Sequence, residues 1–185
     1  MAPIVYYLVG PPGSGKRTIG KQLARLTGAA LLDNHLSNDP VFTAFGLDGQ
    51  KPVPAQVWTL VKRVRAVVLE AALAAPRDVS HIFTNYLTNE EREWQFVQSL
   101  RGLASARGAA FVPVWLSCHT DELARRMTLP ERAERLKLRD PEQLRELLEK
   151  AGNLPPPPDA IRIDTSTLAP ADAALLIAAH AGALF

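Results

Sequence analysis

The sequence predicts an α/β fold, a three-layer α/β/α arrangement around a parallel sheet of about five strands. Three observations carry that expectation. Short apolar runs alternate with helical stripes along the chain. The first run, Ile4-Val5-Tyr6-Tyr7-Leu8-Val9, is apolar or aromatic throughout, the pattern of a strand buried on both faces. A glycine-rich turn then joins this run directly to a helical pattern. At 185 residues the chain has the length of one domain with one core, so the expected unit is a single domain over residues 1–185.

After the glycines, Ile19, Leu23 and Leu26 recur at helical spacing as far as Gly28, a suitable C-terminal cap. Residues 29–32 form a second short apolar run, which ends in the polar stretch Asp33, Asn34, His35, Ser37, Asn38 and Asp39; residues 46–54 are rich in turn formers. From 55 to 75 a long stripe of Val57, Trp58, Val61, Val64, Val68, Leu69 and Leu73 runs between Pro54 and Pro76. Residues 79–84 read as the third strand. Thr88 with Glu91 has the spacing of a capping box, opening a helix with Trp94, Val97 and Leu100 on one face that closes near Gly108. A fourth strand at 110–116 and a short helix at 120–127 follow, then a segment, 128–140, with no settled apolar period. Asp140-Pro141 with Gln143 opens a helix carrying Leu144, Leu147 and Leu148 that stops at Gly152. Four prolines, 155–158, make an extended connector to a fifth strand at 160–163, and a last helix spans about 169–183.

Composition narrows the function classes. Hydrophobic residues make up 47% and charged residues 22%, the balance of a globular protein, and the net charge of +2 asks for neither nucleic acid nor an anionic membrane as partner. The single cysteine, Cys118, cannot form an internal disulfide, and no Cys/His spacing suggests a metal, so a cytoplasmic protein is expected. The N-terminal apolar run is short and lacks a basic flank, and is read as neither signal peptide nor membrane span. The expected state is a monomer or homodimer.

Gly10-Pro11-Pro12-Gly13-Ser14-Gly15-Lys16 fits the Gly-x-x-x-x-Gly-Lys spacing and lies where that motif belongs, between a buried strand and a helix. Gly13 and Gly15 let successive backbone N–H groups turn inward as an anion nest; the helix beginning at Lys16 adds its positive end, and Lys16 supplies a charge for β- and γ-phosphates. In parallel sheets ligands sit beyond the carboxyl ends of the strands, so Asp33, Asn34 and His35 are expected in the same crevice as Lys16. A carboxylate there suits a proton acceptor for an attacking hydroxyl, or a hold on Mg²⁺ through water. Thr84 and Asn85, ending the third strand, and Arg65 on the long helix are further candidates for contacts to an acceptor.

On these residues the chain resembles the P-loop small-molecule and nucleotide kinases. Gly10 to Thr18 is most similar to the Gly-Pro-Pro-Gly-x-Gly-Lys-Gly-Thr string of adenylate kinases, and Asp33 resembles the first aspartate of the Asp-x-Asp site of shikimate kinases, with His35 at the second place. The resemblance implies a P-loop NTPase fold with a lid segment over about 128–140, and ATP with Mg²⁺ as cofactors. Gly10, Pro12, Gly13, Ser14, Gly15, Lys16, Arg17 and Thr18 would hold the nucleotide. One position departs from the motif: the Ser or Thr that usually follows the lysine as a direct Mg²⁺ ligand is Arg17, with the hydroxyl one place later, so Thr18 and Asp33 are expected to act on the metal through water. The triple glycine of shikimate kinases and the Gly-Phe-Pro-Arg string of adenylate kinases are missing after the third strand.

Between Asp121 and Lys150 eight basic and eight acidic residues crowd together. Ion pairs at i,i+4 account for those from Glu142 onward. Arg125, Arg126, Arg132, Arg135, Lys137 and Arg139 flank the segment where such kinases carry a lid that closes on ATP and excludes water. The resemblance implies that Arg126 stacks on adenine, that Arg132 and Arg135 act catalytically on the phosphates, and that Asp164 and Ser166 lie in the loop wrapping the adenine; the last two suit a cap for the final helix equally well. The function expected is an ATP-dependent phosphotransferase acting on a hydroxyl of a small metabolite. A nucleoside or nucleotide kinase and a nucleotide-binding switch with little transfer activity are the alternatives. A kinase of nucleic-acid ends is disfavoured, because no basic stripe with interleaved aromatics appears.

Overall fold

The computed structural model describes residues 2–48, 53–130 and 138–183. Strands β1 (Ile4–Val9), β2 (Ala30–Asp33), β3 (His81–Asn85), β4 (Ala110–Ser117) and β5 (Ile161–Asp164) form one parallel sheet in the order β2-β3-β1-β4-β5. Among the described residues the helices are α1 (Lys16–Thr27), α2 (His35–Ala44), α3 (Ala55–Ala74), α4 (Trp94–Arg107), α5 (Thr120–Met127), α6 (Pro141–Ala151) and α7 (Pro170–Gly182). The register lines up the strand ends: Val9 pairs with Asn85 and Trp115, Asp33 with Thr84, and Ser117 with Asp164. Everything that leaves the carboxyl ends of the strands therefore leaves from one edge.

Alternation along β1 builds the three layers. Tyr6 and Leu8 point to one core with Ile19 and Leu23 of α1 and Ala173 and Ile177 of α7; Val5, Tyr7 and Val9 point to the other with Ala72 of α3 and Val97 and Leu100 of α4. β1 is thus covered on both faces, as its unbroken apolar sequence requires. The expected α/β/α fold is observed, and α5 spans the predicted residues. Asp140 caps α6, its Oδ1 accepting from the backbone N–H of Glu142 at 2.8 Å and of Gln143 at 3.3 Å.

Three local expectations change. The polar stretch after β2 is helical: α2 contains Pro40 and packs Val41 and Phe42 against Val57 and Val61 of α3, so tertiary burial outweighs a poor helical pattern. The capping box at Thr88 does not form. Thr88 donates to the Glu90 carboxylate, and a 3₁₀ turn at Glu91–Glu93 leads into α4, whose start carries no side-chain cap. On α3, Trp58 and Leu73, expected in the apolar stripe, are 43% and 50% exposed.

Arg107, at the end of α4, is buried, and its guanidinium donates to the carbonyl oxygens of Ala72 at 2.6 Å, Ala75 at 2.9 Å, Pro76 at 2.8 Å and Val79 at 2.8 Å. These carbonyls belong to the end of α3 and the turn into β3, so one side chain caps the helix and sets the entry of the strand that ends at Thr84 and Asn85. Arg107→Met is expected to lower stability by about 2–4 kcal/mol by stripping donors from buried carbonyls. A urea midpoint within error of wild type would remove Arg107 from this role.

Candidate active site

The phosphate loop runs from the end of β1 into α1. Gly13 and Gly15 have φ of 90° and 85°, in the left-handed region that side chains disfavour. Gly15 is the N-cap of α1, which has neither a side-chain cap nor an acidic residue in its first turn. The first amide N–H groups and the positive helix end are therefore uncompensated from within the helix, which is what an anion site needs. A Cβ on Gly13 would lie 2.6 Å from Met127 Cε, so α5 sits directly over the loop. Lys16 Nζ donates to the carbonyl oxygens of Gly10 at 2.6 Å and Pro11 at 2.8 Å, which holds the ammonium against the loop.

Pro12, Gly13, Ser14, Gly15, Lys16, Arg17 and Thr18 line a cleft of about 890 Å³. Gly10 serves from outside it, through its carbonyl on Lys16. Arg126 of α5 reaches the same cleft and bridges three elements, with Nε 2.7 Å from Glu122 Oε1, NH1 donating to Gly13 O at 3.2 Å and NH2 to Thr165 O at 2.6 Å. Glu122 also binds Arg125, and hydrogen bonds from the two arginines hold its carboxyl down to about 2. Because the folded value lies below the ordinary carboxylate value, this pairing is present at neutral pH and is lost only as the pH falls toward 2. Asp164 and Ser166 do not line the cleft. Asp164 Oδ1 accepts from Ser166 N at 2.8 Å and Ser166 Oγ at 2.6 Å, bonds that hold the Asp164 carboxyl below its usual range. Nor do they cap α7, whose N-cap is Ala169. Thr165 between them faces the cleft, its hydroxyl 3.1 Å from Ser14 O and 3.0 Å from Ser117 O. Arg132, Arg135 and Lys137 lie outside the described residues, as does the central part of the expected lid.

Across the cleft, Asp33 ends β2, is 6% exposed and meets two partners. Thr84 Oγ1 donates to Oδ1 at 2.9 Å, and Arg17 Nε stands 2.8 Å from Oδ2, an ion pair without hydrogen-bond alignment. Thr84, expected to touch an acceptor, is buried beneath Asp33 and Asn34: its hydroxyl also accepts from Asn34 N at 3.2 Å. Asn34, His35 and Asn85 line the cleft, His35 with Nδ1 2.8 Å from Asp39 Oδ1. Arg65 lines it too, its guanidinium 5.1 Å from the centre of the Phe96 ring. Burial lowers the pKa of Arg65, with Tyr7 and Glu93 opposing, and no hydrogen bond or ion pair meets its charge among the described residues. Arg65 and Asp33 share a second, small cavity of about 20 Å³. Asn38, on α2, was not foreseen. It is 5% exposed, lines the cleft, and its side-chain carbonyl oxygen has no partner.

A family model described as an AAA domain matches residues 5–151, which takes in the phosphate loop, Asp33 and Arg126. The chain belongs to the AAA domain family. Solved structures with the same fold include a sugar kinase from a Janibacter species (20% identical, covering 98% of this chain and 98% of that one, TM-score 0.61). A gluconokinase from Sinorhizobium meliloti is 18% identical over 98% of this chain and 95% of its own, with TM-score 0.58. A shikimate kinase from Acinetobacter baumannii, solved with shikimate, is 23% identical over 100% of this chain and 95% of its own, with TM-score 0.57. No curated protein matches the sequence. The fold is that of the P-loop NTPases, and its neighbours are small-molecule kinases. No helix among the described residues is long and apolar enough to cross a membrane.

Thr84→Val tests the seat of Asp33. It leaves the Asp33 carboxylate with one partner fewer and Asn34 N without an acceptor, and is expected to cost about 1–3 kcal/mol in chemical denaturation. A stability equal to wild type would show that the hydroxyl does not hold the carboxylate.

Proposed function

We propose that this chain is an ATP-dependent phosphotransferase that moves the γ-phosphoryl group to a hydroxyl of a small anionic metabolite. The observation that carries the reading is the buried carboxylate of Asp33, which faces the same cleft as Lys16 and the phosphate loop. Loop amides and Lys16 hold the phosphates. Each Asp33 oxygen has a second acceptor position beyond its present partner, and one of them takes the proton of the acceptor hydroxyl. The hydroxyl oxygen bonds to the γ-phosphorus, the bond from that phosphorus to the β–γ bridging oxygen breaks, and ADP leaves with the electron pair. Arg65 binds the acceptor's anionic group, since its half-buried charge has no ion-pair partner, and Asn38 accepts from a second hydroxyl. Arg126, tethered to Gly13 and Thr165, stands at the adenine side, with Arg132 and Arg135 completing the phosphate contacts.

A nucleoside or nucleotide acceptor is the second reading. Trp58 favours it, standing 43% exposed in the acceptor wall with Phe42 edge-on at 5.6 Å, a surface on which a base can stack.

Mg²⁺, expected with ATP, does not fit as a protein-held ion. Arg17 replaces the usual hydroxyl ligand, both Asp33 oxygens already have protein partners, and among the described residues no three His, Cys, Asp or Glu side chains gather for a metal. Water-mediated contact from Thr18 and Asp33 is what the donor set leaves.

Turnover of ATP with Mg²⁺ is measured across metabolite pools and against water alone. Stimulation by a hydroxylated acid is expected; ATP turnover that no pool raises would favour the switch reading, and stimulation by nucleosides or nucleotides the second. Lys16→Ala should weaken ATP binding by about tenfold or more, and unchanged affinity and rate would refute the site. Asp33→Asn in the presence of Mg²⁺ should cut transfer by about 10²–10⁴-fold while ATP still binds. Arg65→Met should raise the acceptor KM about tenfold or more with a smaller change in kcat, and an unmoved KM would release Arg65 from the acceptor site.

A further inference from the structure

Arg17 occupies the place where a P-loop lysine is usually followed by a metal-binding hydroxyl, and a guanidinium cannot ligate a cation. Its side chain is 25% exposed and lines the cleft beside Lys16. Nε is ion-paired with Asp33, at 2.8 Å, while the two terminal amino groups make no hydrogen bond among the described residues. A rigid guanidinium anchored at one edge presents its other donors in a fixed plane, the geometry that suits phosphoryl oxygens.

We propose that Arg17 is a resident second cation of the phosphate site. Anchored on Asp33, it offers its terminal amino groups to the β,γ-phosphoryl oxygens and carries there part of the charge that a hydroxyl-held Mg²⁺ would supply. Asp33 is then a positioning residue for Arg17 as well as the partner of the acceptor hydroxyl. The consequence is a chain that binds ATP with little dependence on Mg²⁺. The proposal rests on the reading of the phosphate loop as an ATP site, and binding measured without acceptor separates the two.

The test is calorimetric titration of ATP into wild type, Arg17→Lys, Arg17→Ser and the pair Arg17→Ser/Asp33→Asn, in EDTA and in Mg²⁺. The double variant leaves no buried carboxylate without its cation, so it serves as the folded control for any loss of stability in Arg17→Ser alone. Wild type should change its Kd by less than about threefold between the two conditions. Arg17→Ser and the double variant should lose about tenfold or more in EDTA and regain most of it in Mg²⁺, and Arg17→Lys should lie between them and wild type. Wild-type binding that falls tenfold or more in EDTA would overturn the proposal and leave the ATP site standing. So would serine variants that bind in EDTA like wild type. Wild type that binds ATP in neither condition would overturn both readings.

Discussion

The phosphate loop is tied to the sheet on both sides, and the site's geometry depends on those ties. On the β3 side Gly10 N donates to Asn85 O at 3.2 Å; on the β5 side the Thr165 hydroxyl reaches Ser14 O at 3.1 Å, across 151 residues of chain. Between these points the backbone takes the left-handed conformations of Gly13 and Gly15, which glycine adopts without strain. Parallel pairing of β1 with β3 and β4 therefore does more than bury apolar surface. It sets the separation between Asn85 and Ser117, and so the span the loop must bridge. Arg126, joining α5 to Gly13 and Thr165, closes the loop from above by the same logic.

The near-neutral chain conceals cations held in different ways. Arg107 engages carbonyls through both terminal amino groups and is structural. Arg126 is balanced by Glu122 and braces the loop. Lys16 is held against the loop by the carbonyl oxygens of Gly10 and Pro11. Arg17 is ion-paired with Asp33, and Arg65 lies against an aromatic face with Glu93 and Tyr7 acting on its charge from further off. Arg17 and Arg65, whose terminal amino groups no hydrogen bond meets among the described residues, both line the cleft, and this local arrangement says more about the site than the overall +2.

Local features of sequence were legible because local physics controls them. The glycine loop, the cap at Asp140 and the limits of α5 are set within a few residues, and Asp33 could be placed at the crevice from strand direction alone. Helix α2 escaped because Pro40 interrupts its pattern and its stability comes from Val57 and Val61, met only after the fold forms. The same holds for Thr84 beneath Asp33, Thr165 beneath the phosphate loop and Arg107 beneath α3: each role is a contact between distant parts of the chain, and nothing beside the residue in sequence announces it. Trp58 shows the converse error, an aromatic at core spacing whose helix turns that face to the cleft.

The two halves of the cleft differ in what holds them in place. On the phosphate-loop side, backbone groups of the loop are tied to β3, β5 and α5, while the buried hydroxyl of Ser14 has no hydrogen-bond partner among the described residues. On the α2–α3 side the buried oxygen of Asn38 has no hydrogen-bond partner among the described residues, Arg65 lies against the Phe96 ring, and α2 stands on a small cluster of apolar contacts with α3. Unpaired buried polar groups cost stability, and among the described residues those of Ser14 and Asn38, along with Asp33 Oδ2, are the ones that belong to the cleft wall. The overall fold is shared at 18–23% identity with a gluconokinase and a shikimate kinase; in this chain the loop half of the cleft is fixed by ties to the sheet, and the α2–α3 half by one helix packed on another.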